Sequence, residues 1–272
     1  MVGKPVLGAA LDVKHLSIHR DWLFERERPI EISDFCSPNT INGDWQGLAD
    51  ECRRILEGFQ GPVGLHGPFY GIDLAAVEAD SQQLTRKKLQ IALDACAAFG
   101  ATQMVLHSPY SYWCHQNLDS WPGARDRMTD VTCENLRLAV ERASSMGVEL
   151  VLENIEDIDP RWRVDVVQQL NSAAIGVSID TGHAQLAHSS YGSVPVDYFV
   201  QQAGGYLRHV HLQDIDGYAD RHWHAGEGIV PWKAVFRAIE LSGAQPRLLL
   251  EVTDMAHVQY GAAYLQSLGI AE

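Results

Sequence analysis

Residues 148–154 read VELVLEN, an apolar run that stops on Glu153. Burying an ionised carboxylate without a partner is costly. A cation or a hydrogen-bond network must therefore sit against Glu153. Residues 247–252, RLLLEV, repeat the arrangement with Glu251. Four more apolar runs end on residue types that bind metals. They are His66 in GLHGP, His107 in VLHSP, Asp180 with His183 in SIDTGH, and His211 in RHVHLQD. One polar residue at a strand end is usually a helix cap or a solvated loop residue. Six runs ending this way are not a set of independent accidents.

Working outward, eight short apolar runs punctuate the chain: Val6–Leu11, Ile30–Phe35, Val63–Leu65, Gln103–Leu106, Val148–Leu152, Ile175–Ile179, Leu207–Leu212 and Arg247–Val252. Runs of this length bounded by breakers suit buried parallel strands. Helical patterns lie between them. Leu84–Phe99, Asp130–Met146 and Trp232–Leu241 each stop at or just before a glycine, a helix C-terminal signal. Asp44 is placed to cap a helix over 45–59. Strand–helix alternation means βαβ units. Eight of them in 272 residues predict one closed (β/α)₈ TIM barrel spanning residues 1–272, rather than an open doubly wound sheet. No composition break marks a second domain. The stretch SPYSYWCHQNLDSWPG at 108–123 reads as a long irregular loop.

Lysine plus arginine number 21 against 35 for aspartate plus glutamate, a formal charge of −14. That disfavours a broad basic surface for nucleic acid or anionic membrane without excluding a local groove. The five cysteines form no C-x-x-C pair and are odd in number, which suits a reducing compartment. The N-terminal MVGKPVLGAALDVKH lacks the apolar run of a signal peptide, and no stretch has the length of a membrane span. A cytoplasmic protein is expected.

In a parallel barrel all strand C-termini face one mouth, where active sites are found. Residues remote in sequence would converge there. His209 and His211 are two apart on one strand and point to the same side. Both do not readily bind one ion, so His211, nearer the strand end, is the ligand candidate and His209 a supporting residue. The next loop adds Asp220, His222 and His224, with Gly226 and Gly228 for a tight turn. Tyr110, Tyr112, Trp113 and Trp121 are candidates for a stacking wall.

Read in order, HGPFYGIDL at 66–74, VLHS at 105–108, LEN at 152–154, DTGH at 180–183, HLQD at 211–214, DRHWHAGEGIVPW at 220–232 and LLLEV at 248–252 resemble the xylose isomerase-like barrel superfamily. That superfamily holds sugar isomerases and epimerases together with endonuclease IV-type enzymes. Resemblance to the sugar enzymes implies one divalent metal on Glu153, Asp180, His211 and Glu251, with Glu153 and Glu251 also acting as acid and base. The implied activity is isomerisation or epimerisation of a sugar, keto-sugar or related polyol through an enediolate, on a small carbohydrate substrate. Oxygen-rich ligation suits manganese; added histidines shift the preference toward zinc or iron. Resemblance to the endonuclease IV type adds His66, His107, His183, Asp220 and His222, implies up to three ions, and makes phosphodiester hydrolysis the alternative. A lyase or dehydratase would use the same enolate chemistry. Phosphate binding would also need cations at the mouth, for which Arg161, Arg163 and Arg221 are the candidates. Asp12, Lys14, His15 and His19 line the first loop without an implied role. A homo-oligomer is compatible with the resemblance.

Overall fold

A computed structural model describes residues 3–272. Met1 and Val2, which fall inside the span read as one domain and at the start of the N-terminal segment discussed above, lie outside the described residues. Eight parallel strands close into a barrel in sequence order. They are β1 (Leu7–Leu11), β2 (Ile30–Ile32), β3 (Val63–His66), β4 (Gln103–His107), β5 (Glu149–Glu153), β6 (Ile175–Asp180), β7 (Leu207–Leu212) and β8 (Arg247–Leu250). The expected (β/α)₈ barrel is the observed one. Every residue of β1 and β6 is buried, as strands covered on both faces require.

Around the barrel run α1 (Val13–Leu16), α2 (Arg20–Glu25), α3 (Pro38–Asn42), α4 (Trp45–Ile55), α5 (Ala79–Phe99), α6 (Tyr112–Asn117), α7 (Ala124–Met146), α8 (Arg161–Leu170), α9 (Thr181–Tyr191), α10 (Val196–Ala203), α11 (Trp232–Ser242) and α12 (Gln259–Ser267). The inward face of α5 carries Leu89, Ala92, Leu93, Cys96 and Phe99, spaced by three and four residues. Helices α5, α7 and α11 end at Gly100, Gly147 and Gly243, each in the left-handed conformation. Among the described residues no helix is long and apolar enough to cross a membrane.

Three local expectations are corrected. β2 stops at Ile32, because Asp34 turns back to accept the Val13 N–H at 2.8 Å and the chain enters a short 3₁₀ turn. The helix expected over 45–59 ends at Ile55, and Asp44 precedes it without capping it through its side chain. The segment 108–123 is not structureless. Ser111 accepts the Cys114 N–H and starts α6.

Strand register positions the site. His107 pairs with Glu153 across β4 and β5, and Asp180 pairs with His211 across β6 and β7. At the opposite end the buried Arg28 donates to the carbonyls of Leu7 (3.0 Å) and Glu272 (3.1 Å) and holds the first and last segments together.

Close packing between β1 and β2 yields a stability prediction. A Cβ added to Gly8 would lie 1.7 Å from the Pro29 carbonyl oxygen, a backbone atom of the adjoining segment. Gly8→Ala should therefore cost about 1–3 kcal/mol, as overpacking does, and lower the urea midpoint. An unchanged midpoint would show that β1 and β2 separate freely.

Candidate metal centre

Nine donor residues at the C-terminal mouth make up three groups whose ligand atoms lie within 4.8 Å of one another, and two further groups of the same kind bring in Glu31, with His209 and His211 and with His66 and Glu251. The first is His66, His107 and Glu153; the second Glu153, Asp180, His211 and Glu251; the third His183, Asp220 and His222. Glu153 belongs to two of them. Its Oε2 is 3.8 Å from His66 Nε2 and 3.7 Å from His107 Nε2. Its Oε1 is 2.8 Å from His211 Nδ1, which is also 3.3 Å from Glu251 Oε2. Asp220 reaches His183 Nε2 at 3.3 Å and His222 Nε2 at 3.2 Å.

Apart from the 2.8 Å Glu153–His211 contact, which is a hydrogen bond, these spacings are close to those of ligands on one divalent ion. Ligands at about 2.0–2.2 Å from a tetrahedral ion are roughly 3.3–3.6 Å apart. Glu153 Oε2 and Asp180 Oδ2 are buried with no hydrogen-bond partner. Native proteins rarely leave buried carboxylate oxygens unpaired without a bound ion or water. Glu153 Oε2 faces the Nε2 atoms of His66 and His107, donors that a cation would join to it.

Electrostatics point the same way. Burial pushes the Asp180 carboxyl up to about 7, and the charges of Glu153 and Glu251 add to this against His183. Burial opposes protonation of His211, yet Glu251, Glu31 and Glu153 overcome it and raise its pKa well above the usual imidazole range. His183 is raised against burial in the same way, chiefly by Asp180. His222 reaches about 9 despite burial, through Asp220 and Glu251. Without an ion, protons on these imidazoles balance the carboxylates.

The donors are held in place by their own neighbours. His183 Nδ1 lies 3.0 Å from the Asn154 carbonyl, which only accepts, so the Nε2 lone pair is left for the Asp220 side. His66 Nδ1 faces the Gly67 carbonyl at 2.9 Å with the same consequence for Nε2. The Asn154 side chain clamps the Asp180 backbone at both N–H and C=O. Gln213 donates to Asp180 Oδ1 (3.1 Å) and Asp220 Oδ1 (3.0 Å) and accepts the His222 N–H. That last contact holds His222 at φ +49°, a conformation uncommon outside glycine. The buried Asp214 organises the following loop by accepting from Gly226 N, Val230 N and Trp232 Nε1. Gly228 permits this, since a Cβ there would meet the Ile215 carbonyl at 2.1 Å.

Some residues fall elsewhere. Arg163, expected among the mouth cations, is fully buried. It donates to Asp157 and to the carbonyls of Leu152 and Ser178, tying β5 to β6. Its charge offsets that of the buried Asp157 carboxylate, which also accepts from Ser108 Oγ and the Ile155 N–H. Arg161 and Arg221 are at the surface, but each is paired with a carboxylate, Asp159 and Asp216. Tyr110 belongs to the core rather than to a stacking wall; its hydroxyl is 3.0 Å from Thr129 Oγ1 and its ring meets Trp162 edge-on. Tyr112 stacks on Tyr191, and the exposed Trp113 stacks on Trp121. Lys14 and His15 turn to Asp12, and His19 contacts the Met255 carbonyl. His224 is buried beside Tyr260 and joins none of the three groups.

Sequence reasoning missed Glu31. It lies in the middle of β2, buried, with Oε1 2.9 Å from His211 Nε2. The available signal was a carboxylate between two isoleucines in PIEIS.

Fold and site together define a (β/α)₈ barrel with a carboxylate–histidine centre at its C-terminal mouth. The sequence matches the family described as xylose isomerase-like TIM barrel over residues 30–268, and the chain belongs to that family. Probable endonuclease 4 of Mycobacterium leprae is 27% identical over 198 residues, covering 70% of this chain and 73% of that protein. Fructoselysine 3-epimerase of Escherichia coli O157:H7 is 27% identical over 123 residues; the match spans 45% of each chain, less than half of the epimerase. A solved structure of a Thermus thermophilus protein soaked with zinc chloride superposes with a TM-score of 0.74 at 25% identity, covering 96% of this chain and 97% of that one.

Arg163 supplies the prediction here. Arg163→Leu leaves Asp157 buried without its partner, and burial already raises that carboxyl to about 6 with the arginine in place. Breaking such a pair costs about 3–5 kcal/mol, so chemical denaturation should show a loss of that size. A change under about 1 kcal/mol would mean that the pair contributes little.

Proposed function

We propose that this chain is a metal-dependent hydrolase that cleaves a phosphate ester of a small molecule at a centre for three divalent ions. One observation carries the reading: nine donors make up three neighbouring groups, two of which share Glu153. Chemistry at a single ion leaves His66, His107, His183, Asp220 and His222 without a use. Five imidazoles among the nine donors favour zinc over magnesium or calcium.

Charge gives independent support. The nine donors include four carboxylates. Three divalent ions would outweigh them and leave a cationic centre, suited to an anionic substrate. No free arginine is needed, which agrees with Arg161, Arg163 and Arg221 being paired already. The same pairing and the formal charge of −14 disfavour a long polyanion such as duplex DNA. When bound, the ions would polarise the ester oxygens and lower the pKa of a bound water. Of the four central donors Glu251 is the most open to the mouth, its side chain 17% exposed. On this reading Glu251 would take a proton from an entering water.

A second reading keeps one specific observation. Glu153 and Glu251 both reach His211 Nδ1, so two carboxylates flank a single point. With one ion on Glu153, Asp180, His211 and Glu251 the centre would keep a net negative charge and suit a neutral sugar. One glutamate would then remove the proton beside a keto-sugar carbonyl and the other return it, giving isomerisation or epimerisation.

Substrates separate the readings. Zinc-loaded protein should hydrolyse p-nitrophenyl phosphate or its bis ester. Glu153→Gln should lower that rate about a thousandfold or more, since metal assistance supplies several kcal/mol, while the circular dichroism spectrum stays unchanged. Epimerisation of a ketohexose by protein inert toward every phosphate ester would replace the hydrolase with the second reading. Cleavage confined to abasic-site DNA would contradict the small-molecule assignment.

A further inference from the structure

Below the three donor groups lies a buried chain of side chains that the proposed chemistry does not use. Glu31 points from β2 into the barrel interior. Its neighbours in register, Ala10 on β1 and Gly64 on β3, are small and leave room for its side chain to cross toward β7. There Oε1 meets His211 Nε2 at 2.9 Å, and Oε2 lies 3.2 Å from His209 Nε2. His209 is held in turn from β6, its Nδ1 2.8 Å from Ser178 Oγ. Glu31, Ser178, His209 and His211 are all buried.

His211 has two ring nitrogens and a carboxylate at each. Nδ1 faces Glu153 and Glu251, both in the second donor group. Nε2 faces Glu31. A neutral imidazole carries one proton, so only one nitrogen can offer a lone pair to an ion. If the proton sat on Nδ1, His211 would donate it to Glu153 and be lost as a ligand on the side where the other donors converge.

We infer that Glu31 is a positioning residue for the metal centre: it accepts the Nε2 proton of His211 and thereby presents Nδ1 to the ion. The inference rests on His211 being a metal ligand and not on which ester or sugar is the substrate. Glu31 also lies within ligand distance of His209 and His211 and of His66 and Glu251; its assigned role is the hydrogen bond to His211 rather than a bond to the ion. Its oxygens are 2.9 and 3.2 Å from imidazole nitrogens, within hydrogen-bonding range, and its side chain is 2% exposed. Ser178 and His209 limit the carboxylate's rotation, so the acceptor stays fixed where His211 needs it. A carboxylate behind a metal-bound histidine typically strengthens ion binding, and its removal costs about 10–100-fold in affinity.

The test compares wild-type protein with Glu31→Gln, which keeps shape and removes charge. Zinc affinity is measured by competition with a chromophoric chelator, and the His211 tautomer by long-range ¹⁵N–¹H correlation on zinc-loaded protein. The wild type should show His211 protonated at Nε2. Glu31→Gln should bind zinc about 10–100-fold more weakly and show a shifted His211 ring signature, with the thermal midpoint of the metal-free protein little changed. Equal zinc affinity in the two proteins would overturn the inference, as would weakened binding with an unaltered ring signature. Should Glu31→Gln fail to fold, the wild type alone decides, because His211 protonated at Nδ1 in the zinc-loaded state contradicts the assignment. Wild-type protein that takes up no zinc overturns the metal centre as well, whereas a loaded wild type matched by its variant overturns only the role of Glu31.

Discussion

Glu153 and Asp180 each carry a buried oxygen with no hydrogen-bond partner, and Glu251 and Asp220 stand within the same cluster of donors. Four carboxylates crowded at the end of a low-dielectric barrel repel one another and resist desolvation. Five histidines are interleaved among them, and three of these, His183, His211 and His222, are pushed toward the protonated form by the acids. Much of the local architecture answers this one constraint. Asn154 and Gln213 hold the acids by their backbone or their second oxygen. Carbonyls of Asn154 and Gly67 fix two imidazoles, and Arg163 is spent inside, binding the strand ends on which Glu153 and Asp180 sit. The oxygens these contacts leave open are where the proposed cations would bind.

The barrel makes such a cluster possible. Parallel strands in register bring His107 level with Glu153 and Asp180 level with His211. The donors on strands therefore have rigid supports. Asp220 and His222 are different, because they lie on the long connection after β7. That loop is folded back by the buried Asp214 and by the strained backbone of His222. The third donor group depends on this loop, so it is the one whose geometry a loop substitution would disturb first.

How much of this was legible follows from where each signal lies. The fold was, because eight apolar runs alternate with amphipathic helices closed by Gly100, Gly147 and Gly243. The convergence of the nine mouth residues was too, since most stand at or beside the ends of apolar strands that share one barrel mouth. Glu31 was not. It interrupts a short strand from the middle, and its partners His209 and His211 come from the opposite side of the barrel, a relation that appears only on closure. Arg163 was misplaced for a similar reason. Its position on a mouth loop suggested solvent, but the carbonyls of Leu152 and Ser178 converge on it from two strands. Tyr110 follows the same pattern, drawn inward by Thr129 on α7.

The three-group centre is tested most directly by anomalous diffraction at the zinc edge, on crystals grown from zinc-loaded protein and paired with elemental analysis of the same sample. Three anomalous peaks are expected, one at each group: His66, His107 and Glu153; Glu153, Asp180, His211 and Glu251; and His183, Asp220 and His222. A single peak on Glu153, Asp180, His211 and Glu251, with one ion per chain in solution, would contradict the three-ion centre and leave one-ion sugar chemistry as the reading of the site.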